Sequence, residues 1–133
     1  MHLIVCLDQR DGMLFNKRRQ SRDRGVCARM LERAAGGRLW MNGYSARLFE
    51  GCSVTADEEF LHRAGEGEYA FLENGELRPF AGAVESITVY RWGKVYPADT
   101  TFPWELFPGR RLIHTAEFAG SSHEEITEEV YEV

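Results

Sequence analysis

The chain has few cysteines, no surplus of basic residues and no long apolar run, and each shortage removes a class of protein. Cys6, Cys27 and Cys52 are its only cysteines; the number is odd, the spacing wide, and no Cys-x-x-Cys pair occurs. A disulfide framework and a cysteine-built zinc site are thereby excluded, and a reducing, cytoplasmic setting is expected. Lysine and arginine total 16 against 21 aspartates and glutamates, for a net charge of −5. General nucleic-acid binding needs the opposite balance, concentrated on one face. The opening apolar run, Leu3–Leu7, is too short for a signal-peptide core, and no membrane association is expected because no stretch approaches the roughly 20 apolar residues of a span. The four histidines, His2, His62, His114 and His123, lack metal-ligand spacing, so no metal is expected. His123 follows Ser121 and Ser122, but neighbours on a hairpin do not aim at one another as a hydrolase's serine and histidine must. No phosphate-binding loop or dinucleotide fingerprint is present, since Gly36 and Gly37 precede a strand rather than follow one.

What is there suffices for one domain over residues 1–133, with 44% apolar residues and eight Phe, five Tyr and three Trp to fill a core. Charge is uneven along the chain. The run "NKRRQSRDR", Asn16–Arg24, has five basic residues and one acid, whereas the tail "HEEITEEVYEV" has five glutamates. Either these are two solvated faces, or the basic run meets an anionic ligand such as a phosphate or carboxylate.

Leu3–Leu7 has the unbroken apolar character of a buried strand. A loop is predicted over Gln9–Gln20. A helix follows from Ser21, capped by Ser or Asp, with Val26, Met30, Leu31 and Ala34 on one side and Gly36-Gly37 as its stop. Leu39–Met41 reads as a second buried strand, leading through Asn42-Gly43 into a short helix that reaches Phe49. Ser53–Thr55 and Tyr69–Leu72 read as strands around a helix over Asp57–Ala64. Glu76–Phe80 is a short helical piece before the β-rich Ser86–Trp92. Arg111–Thr115 and Ile126–Val133 close the chain as strands. Early alternation of strands and helices, then strands alone, predicts an α/β fold whose mostly parallel sheet has an antiparallel C-terminal edge.

Five segments in this order carry a resemblance. They are "LIVCLDQRDGM", "LWMNGYS", "EYAFLENGELRPFAGAVESITVYRW", "ADTTFP" and "EFAGSSHEEITEEVYEV". The chain resembles the dihydrofolate reductase family, in which they correspond to the first strand ending in Asp, the Met-Gly-Arg-x-Thr strand end, the strand–glycine turn–helix–strand run, the Asp-Thr-x-Phe-Pro signature and the final hairpin. The resemblance implies a three-layer sandwich, here shortened in the middle, and a cleft outside the C-terminal ends of the strands.

It also implies departures. The family's Gly-Gly pair, which admits the NADPH diphosphate, falls on Leu72-Glu73, and Glu73 sets a negative charge against that group. The phosphate-holding arginine of the second segment is absent from Met41-Asn42-Gly43-Tyr44-Ser45, though Ser45 keeps a hydroxyl. The stretch from Phe49 to Tyr69 is short, which removes an arginine for the substrate carboxylate and much of the adenosine site. Asp23 lies near the place of the acid that assists pterin protonation; the other reading is that it caps the helix. Tyr90 stands where the family has a threonine and would fill part of the pterin space. Asp99 and Thr100 are expected to order the Gly12–Gln20 loop, or else to satisfy their own turn.

Two functions follow. The first is a dihydrofolate-reductase-like protein without ordinary NADPH use, which binds another small ligand or a protein partner at a remnant cleft lined by Cys6, Asp23, Asn42, Ser45, Glu73 and Tyr90. The second is an NADPH-dependent reductase of a pterin or related ring, with Asp23 assisting protonation. No resident cofactor is expected under the first. A homodimer through the C-terminal strand edge is open, although glutamates protect that edge.

Overall fold

A computed structural model describes all residues from Met1 to Val133. The strands are β1 (His2–Leu7), β2 (Gly12–Phe15), β3 (Arg18–Arg19), β4 (Leu39–Met41), β5 (Thr55–Ala56), β6 (Tyr69–Phe71), β7 (Ser86–Arg91), β8 (Thr100–Thr101), β9 (Arg111–Phe118) and β10 (Ile126–Glu132). The helices are α1 (Arg24–Arg33), α2 (Gly43–Ala46) and α3 (Phe60–Arg63), with 3-10 segments at Arg47–Phe49, Arg78–Ala83 and Trp104–Leu106.

Seven strands form one sheet in the order β5-β4-β6-β1-β7-β10-β9. From β5 to β7 every pairing is parallel, while β10 runs antiparallel to both β7 and β9. Strand β1 is central, flanked on both sides, which explains its continuous apolar run. Its alternate residues serve opposite layers. Leu3, Val5 and Leu7 join Ile87, Val89, Leu72 and Trp40 in the core that α3 and the Phe102–Phe107 segment cover. Ile4 joins Phe71, Tyr90, Met41 and Phe49 beneath α1, whose Val26, Met30 and Ala34 face inward. Each such fully buried side chain contributes about 1.5–3 kcal/mol relative to exposure.

Most predicted elements lie within a few residues of those observed, and the α/β architecture is the expected one. One segment differs. Gln9–Gln20 is not plain loop: β2 and β3 form a hairpin, and β8 pairs with β2 on its other side. The hairpin tip is Asn16-Lys17, with φ of 50° and 62°. Both residues lie in the left-handed region that a two-residue hairpin turn demands, but Lys17 stands where glycine usually signals such a turn, so the sequence hides it. Asp8, at the end of β1, holds the hairpin base. Its Oδ1 accepts the amides of Arg10 (2.7 Å) and Gly12 (2.8 Å), and its Oδ2 accepts Gln20 Nε2 (2.9 Å) and the Tyr96 amide (3.1 Å). Gly12 is required there, because a Cβ would press on Gln20, Asp8 and Ala98 at once. The Asp99 carboxylate accepts the Asn16 amide at 3.0 Å and the Thr100 hydroxyl at 3.3 Å.

The acidic tail meets arginines other than those of the basic run. Glu128 is buried on β10 and accepts the Tyr90 hydroxyl at 2.9 Å, with Arg33, Arg29 and His114 also within reach. Glu129 pairs with Arg91, and Glu132 with Arg111.

Candidate functional site

Three regions meet where β1, β4 and β6 end: a filled nook, an acidic groove and an arginine-lined cleft.

The nook lies under α1. Cys6, Val26, Cys27, Met30, Leu48, Phe71 and Trp92, together with the polar Ser21, Arg22, Asp23 and Glu73, close round a residual space of about 10 Å³, too little for any ligand. The inward residues of α1, Val26 and Met30, are apolar, and the acids that line the nook, Asp23 at the N-cap and Glu73, are both engaged by other groups of the protein. Tyr90 fills the same layer, and its hydroxyl turns along the sheet to Glu128. Burial, then the Glu128 charge, pushes its phenol far up, so it stays neutral. Burial, then the Glu73 charge, likewise raises Cys27 to about 11, and Cys6 is raised well above the usual thiol range. Both thiols stay protonated near neutral pH. Iodoacetamide should therefore label the exposed Cys52 first, leaving Cys6 and Cys27 untouched until the protein unfolds. Peptide mapping after brief alkylation checks this, and prompt labelling of Cys27 would contradict it.

The groove lies beyond the ends of β4 and β6, and here the chain supplies its own anions. Glu58 Oε2 accepts the Gly43 amide at 2.7 Å, at the start of α2. Asn42 caps the same helix by accepting the Ser45 amide at 3.0 Å, and its side-chain amide donates to Asn74 Oδ1. The Ser45 hydroxyl donates to Glu73 Oε1 at 2.8 Å. Arg19 then closes on Glu73 with two parallel bonds, Nε to Oε2 at 2.8 Å and Nη2 to Oε1 at 2.9 Å. Its guanidinium also lies over the Tyr44 ring, 4.2 Å from the centroid. Outside this plug a cleft of about 430 Å³ is lined by Glu58, Glu59 and Glu76 with no lysine or arginine.

The third region is basic. A cleft of about 370 Å³ lies between the start of α1 and the 3-10 turn after α2, lined by Arg22, Asp23, Arg24, Cys27, Arg47, Leu48 and Ser122. None of its three guanidiniums pairs with a carboxylate, although the protein is acidic overall. Asp23 contributes no free charge to this cleft. It caps α1, its Oδ1 accepting the amides of Gly25 (2.7 Å) and Val26 (3.2 Å). Oδ1 also accepts the Ser121 amide at 2.9 Å, and Oδ2 accepts the Ser122 amide at 2.8 Å and His123 Nδ1 at 2.9 Å. Burial alone would raise its pKa, but the bonds from His123, Ser122, Ser121 and Val26 outweigh it and hold the carboxyl well below its usual range. Gly120 must be glycine, since any Cβ would overlap this carboxylate.

The structure thus brings Asn42, Ser45 and Glu73 into one network and Cys6 and Tyr90 into the layer beneath α1. Asp23 stands with the Gly120–His123 turn. Sequence reading missed Arg19, Glu58, Ser21 and His123 as members of these sites. Only Arg19 had a signal, the basic run, and the carboxylate it meets is the protein's own.

No family model matches the chain, and no curated protein matches it by sequence. A dihydrofolate reductase from Enterococcus faecalis, solved in complex with NADP(H) and RAB-propyl, is similar in structure. The likeness covers 98% of this chain and 94% of that one, with a TM-score of 0.66 at 14% identity. Strand order, layers and this likeness together establish that the chain has a dihydrofolate-reductase-like fold.

Proposed function

We propose that the protein binds a small anionic ligand in the Arg22–Arg24–Arg47 cleft and makes no use of NADPH. One observation carries this reading: three arginines without a carboxylate partner line a cleft of about 370 Å³, within the range of small-molecule sites, in a protein of net charge −5. Unpaired cations held together in a concave site repel one another, and an anion relieves that repulsion.

The solved neighbour's NADP(H) supports the competing reading, a reductase. The residues here do not fit that cofactor. A diphosphate would face Glu73 and Glu58 where it needs amide and hydroxyl donors, and Glu59 and Glu76 add to the repulsion. A reductase also needs an acid free to assist protonation in the nook, and the two acids there are engaged, Asp23 by the Ser121–His123 turn and Glu73 by Arg19 and Ser45.

Thermal unfolding with added ligand tests the proposal. Millimolar NADPH should leave the melting temperature unchanged. Citrate, inorganic phosphate and folate present graded anionic charge, and at least one should raise it; a ligand at 100 times its Kd adds about 2.7 kcal/mol, a rise of several degrees. Arg47→Ala should abolish that rise without lowering the ligand-free melting point, because Arg47 is exposed and unpaired. A clear NADPH shift would restore the reductase reading.

A further inference from the structure

His123 connects residues that are about a hundred positions apart in the chain. Its Nδ1 lies 2.9 Å from Asp23 Oδ2, and its Nε2 lies 2.9 Å from Ser21 Oγ. An ionised carboxylate only accepts, and four main-chain amides and the Ser121 hydroxyl besides His123 keep Asp23 ionised. Nδ1 therefore carries a proton, and when the ring is singly protonated Nε2 turns its lone pair to the Ser21 hydroxyl. The Asp23 side chain is fully buried, and the His123 ring is stacked on Trp92 with centroids 4.7 Å apart. Ser21 is partly buried, lines the nook, and directly precedes Arg22 and Asp23 of the arginine cleft, so a reactant would reach it from that cleft. The Tyr96 hydroxyl is also near Nε2, at 3.4 Å, a longer contact that leaves Ser21 the nearer donor.

We propose that Ser21 is a nucleophile, His123 its general base and Asp23 the residue that positions the imidazole, and that together they hydrolyse a small carboxylic ester bearing a second, anionic group. A hydroxyl–imidazole–carboxylate chain at hydrogen-bond distance is what activates a serine, on whatever fold it occurs. The main-chain amides of Arg22, the residue after the nucleophile, and of Asp23 donate no hydrogen bond within the protein. They are the donors available to a developing oxyanion. The anionic group rests on the ligand reading above: Arg22 and Asp23 follow Ser21, Ser122 precedes His123, and all three line the arginine cleft. The nucleophile itself does not depend on that reading.

The reaction needs only water as co-reactant. Ser21 Oγ bonds to the ester carbonyl carbon as His123 Nε2 takes the hydroxyl proton. The carbon–oxygen bond to the alcohol then breaks, and the alcohol leaves with that proton. Water adds to the acyl carbon while Nε2 accepts a proton from it. The bond to Ser21 Oγ breaks, the oxygen is reprotonated from Nε2, and the free acid departs.

The experiment combines a covalent probe with two esters. A fluorophosphonate should add once to the native protein, with the adduct mapping to Ser21. The mono-4-nitrophenyl ester of succinate should turn over at least tenfold faster than 4-nitrophenyl acetate. Ser21→Ala should abolish the adduct and lower turnover by about 10³-fold or more at a nearly unchanged melting temperature. Ser21→Cys should restore an adduct at that position with iodoacetamide, more rapidly than at Cys52. Absence of an adduct on Ser21 in the folded protein, or equal turnover by Ser21→Ala, would overturn the proposal even if small anions bind the cleft. Equal rates for the two esters, unchanged by Arg47→Ala, would overturn the substrate class and the ligand reading with it.

Discussion

Arg19→Ala should lower the stability of the protein by about 3 kcal/mol, a fall of roughly 10 °C in melting temperature for a domain of this size. The reason is the charge left behind. Glu73 is 8% exposed, and its two oxygens rely on the guanidinium and the Ser45 hydroxyl. Breaking one side of a buried pair costs about 3–5 kcal/mol, because the other charge stays buried without a partner. The lower end applies because the Arg19 side chain is 20% exposed and water replaces part of its role. The double variant Arg19→Leu, Glu73→Met should recover most of the loss, since two apolar groups leave no orphaned charge. Denaturant unfolding of both variants checks this. A single variant as stable as the parent would mean that Glu73 finds solvent, and the groove would not be plugged.

Asp23→Ala should be at least as damaging, by about 3–5 kcal/mol, and should change how stability depends on pH. Loss of the cap alone costs about 1 kcal/mol; the amides of Ser121 and Ser122 and the His123 ring lose their acceptor as well. The folded carboxyl has a pKa below its unfolded value, so the unfolded chain takes up the proton first as pH falls. The contribution of Asp23 is therefore complete above the ordinary carboxylate range, and it is lost progressively as pH falls below about 4. Asp8 and Glu128 are shifted in the same direction and add to the acid lability. The parent protein should lose stability steeply from pH 5 to pH 2, and Asp23→Ala should lose less over the same interval. Parallel pH profiles would show that Asp23 titrates alike in both states and is no clamp.

Both predictions concern contacts between segments that sequence reading treated separately. From sequence, Asp23 reads as an acid assisting protonation or as a helix cap. In the fold its carboxylate caps α1 and also holds a turn about a hundred residues away. From sequence, Glu73 reads as a charge opposed to a cofactor, whereas in the fold its partner comes from a hairpin 54 positions earlier.

The sequence by itself determined the layers. The unbroken apolar run Leu3–Leu7 reads as a strand buried on both faces, and Val26, Met30 and Ala34 at helical spacing read as the inward side of a helix, as the fold has them. These are local regularities, set by the two- and 3.6-residue periods of the backbone and by the need to remove apolar surface from water. Ordered segments such as "ADTTFP" then suggested which arrangement of layers to expect. Tertiary structure alone decided the partners of the polar groups. Nothing in "NKRRQSRDR" says that Arg19 is spent on Glu73 while Arg22 and Arg24 join Arg47 around an open cleft. Nothing near Ser21 names His123. Such pairings depend on angstrom distances between remote segments, and a charged or hydroxyl side chain carries no period that marks its partner.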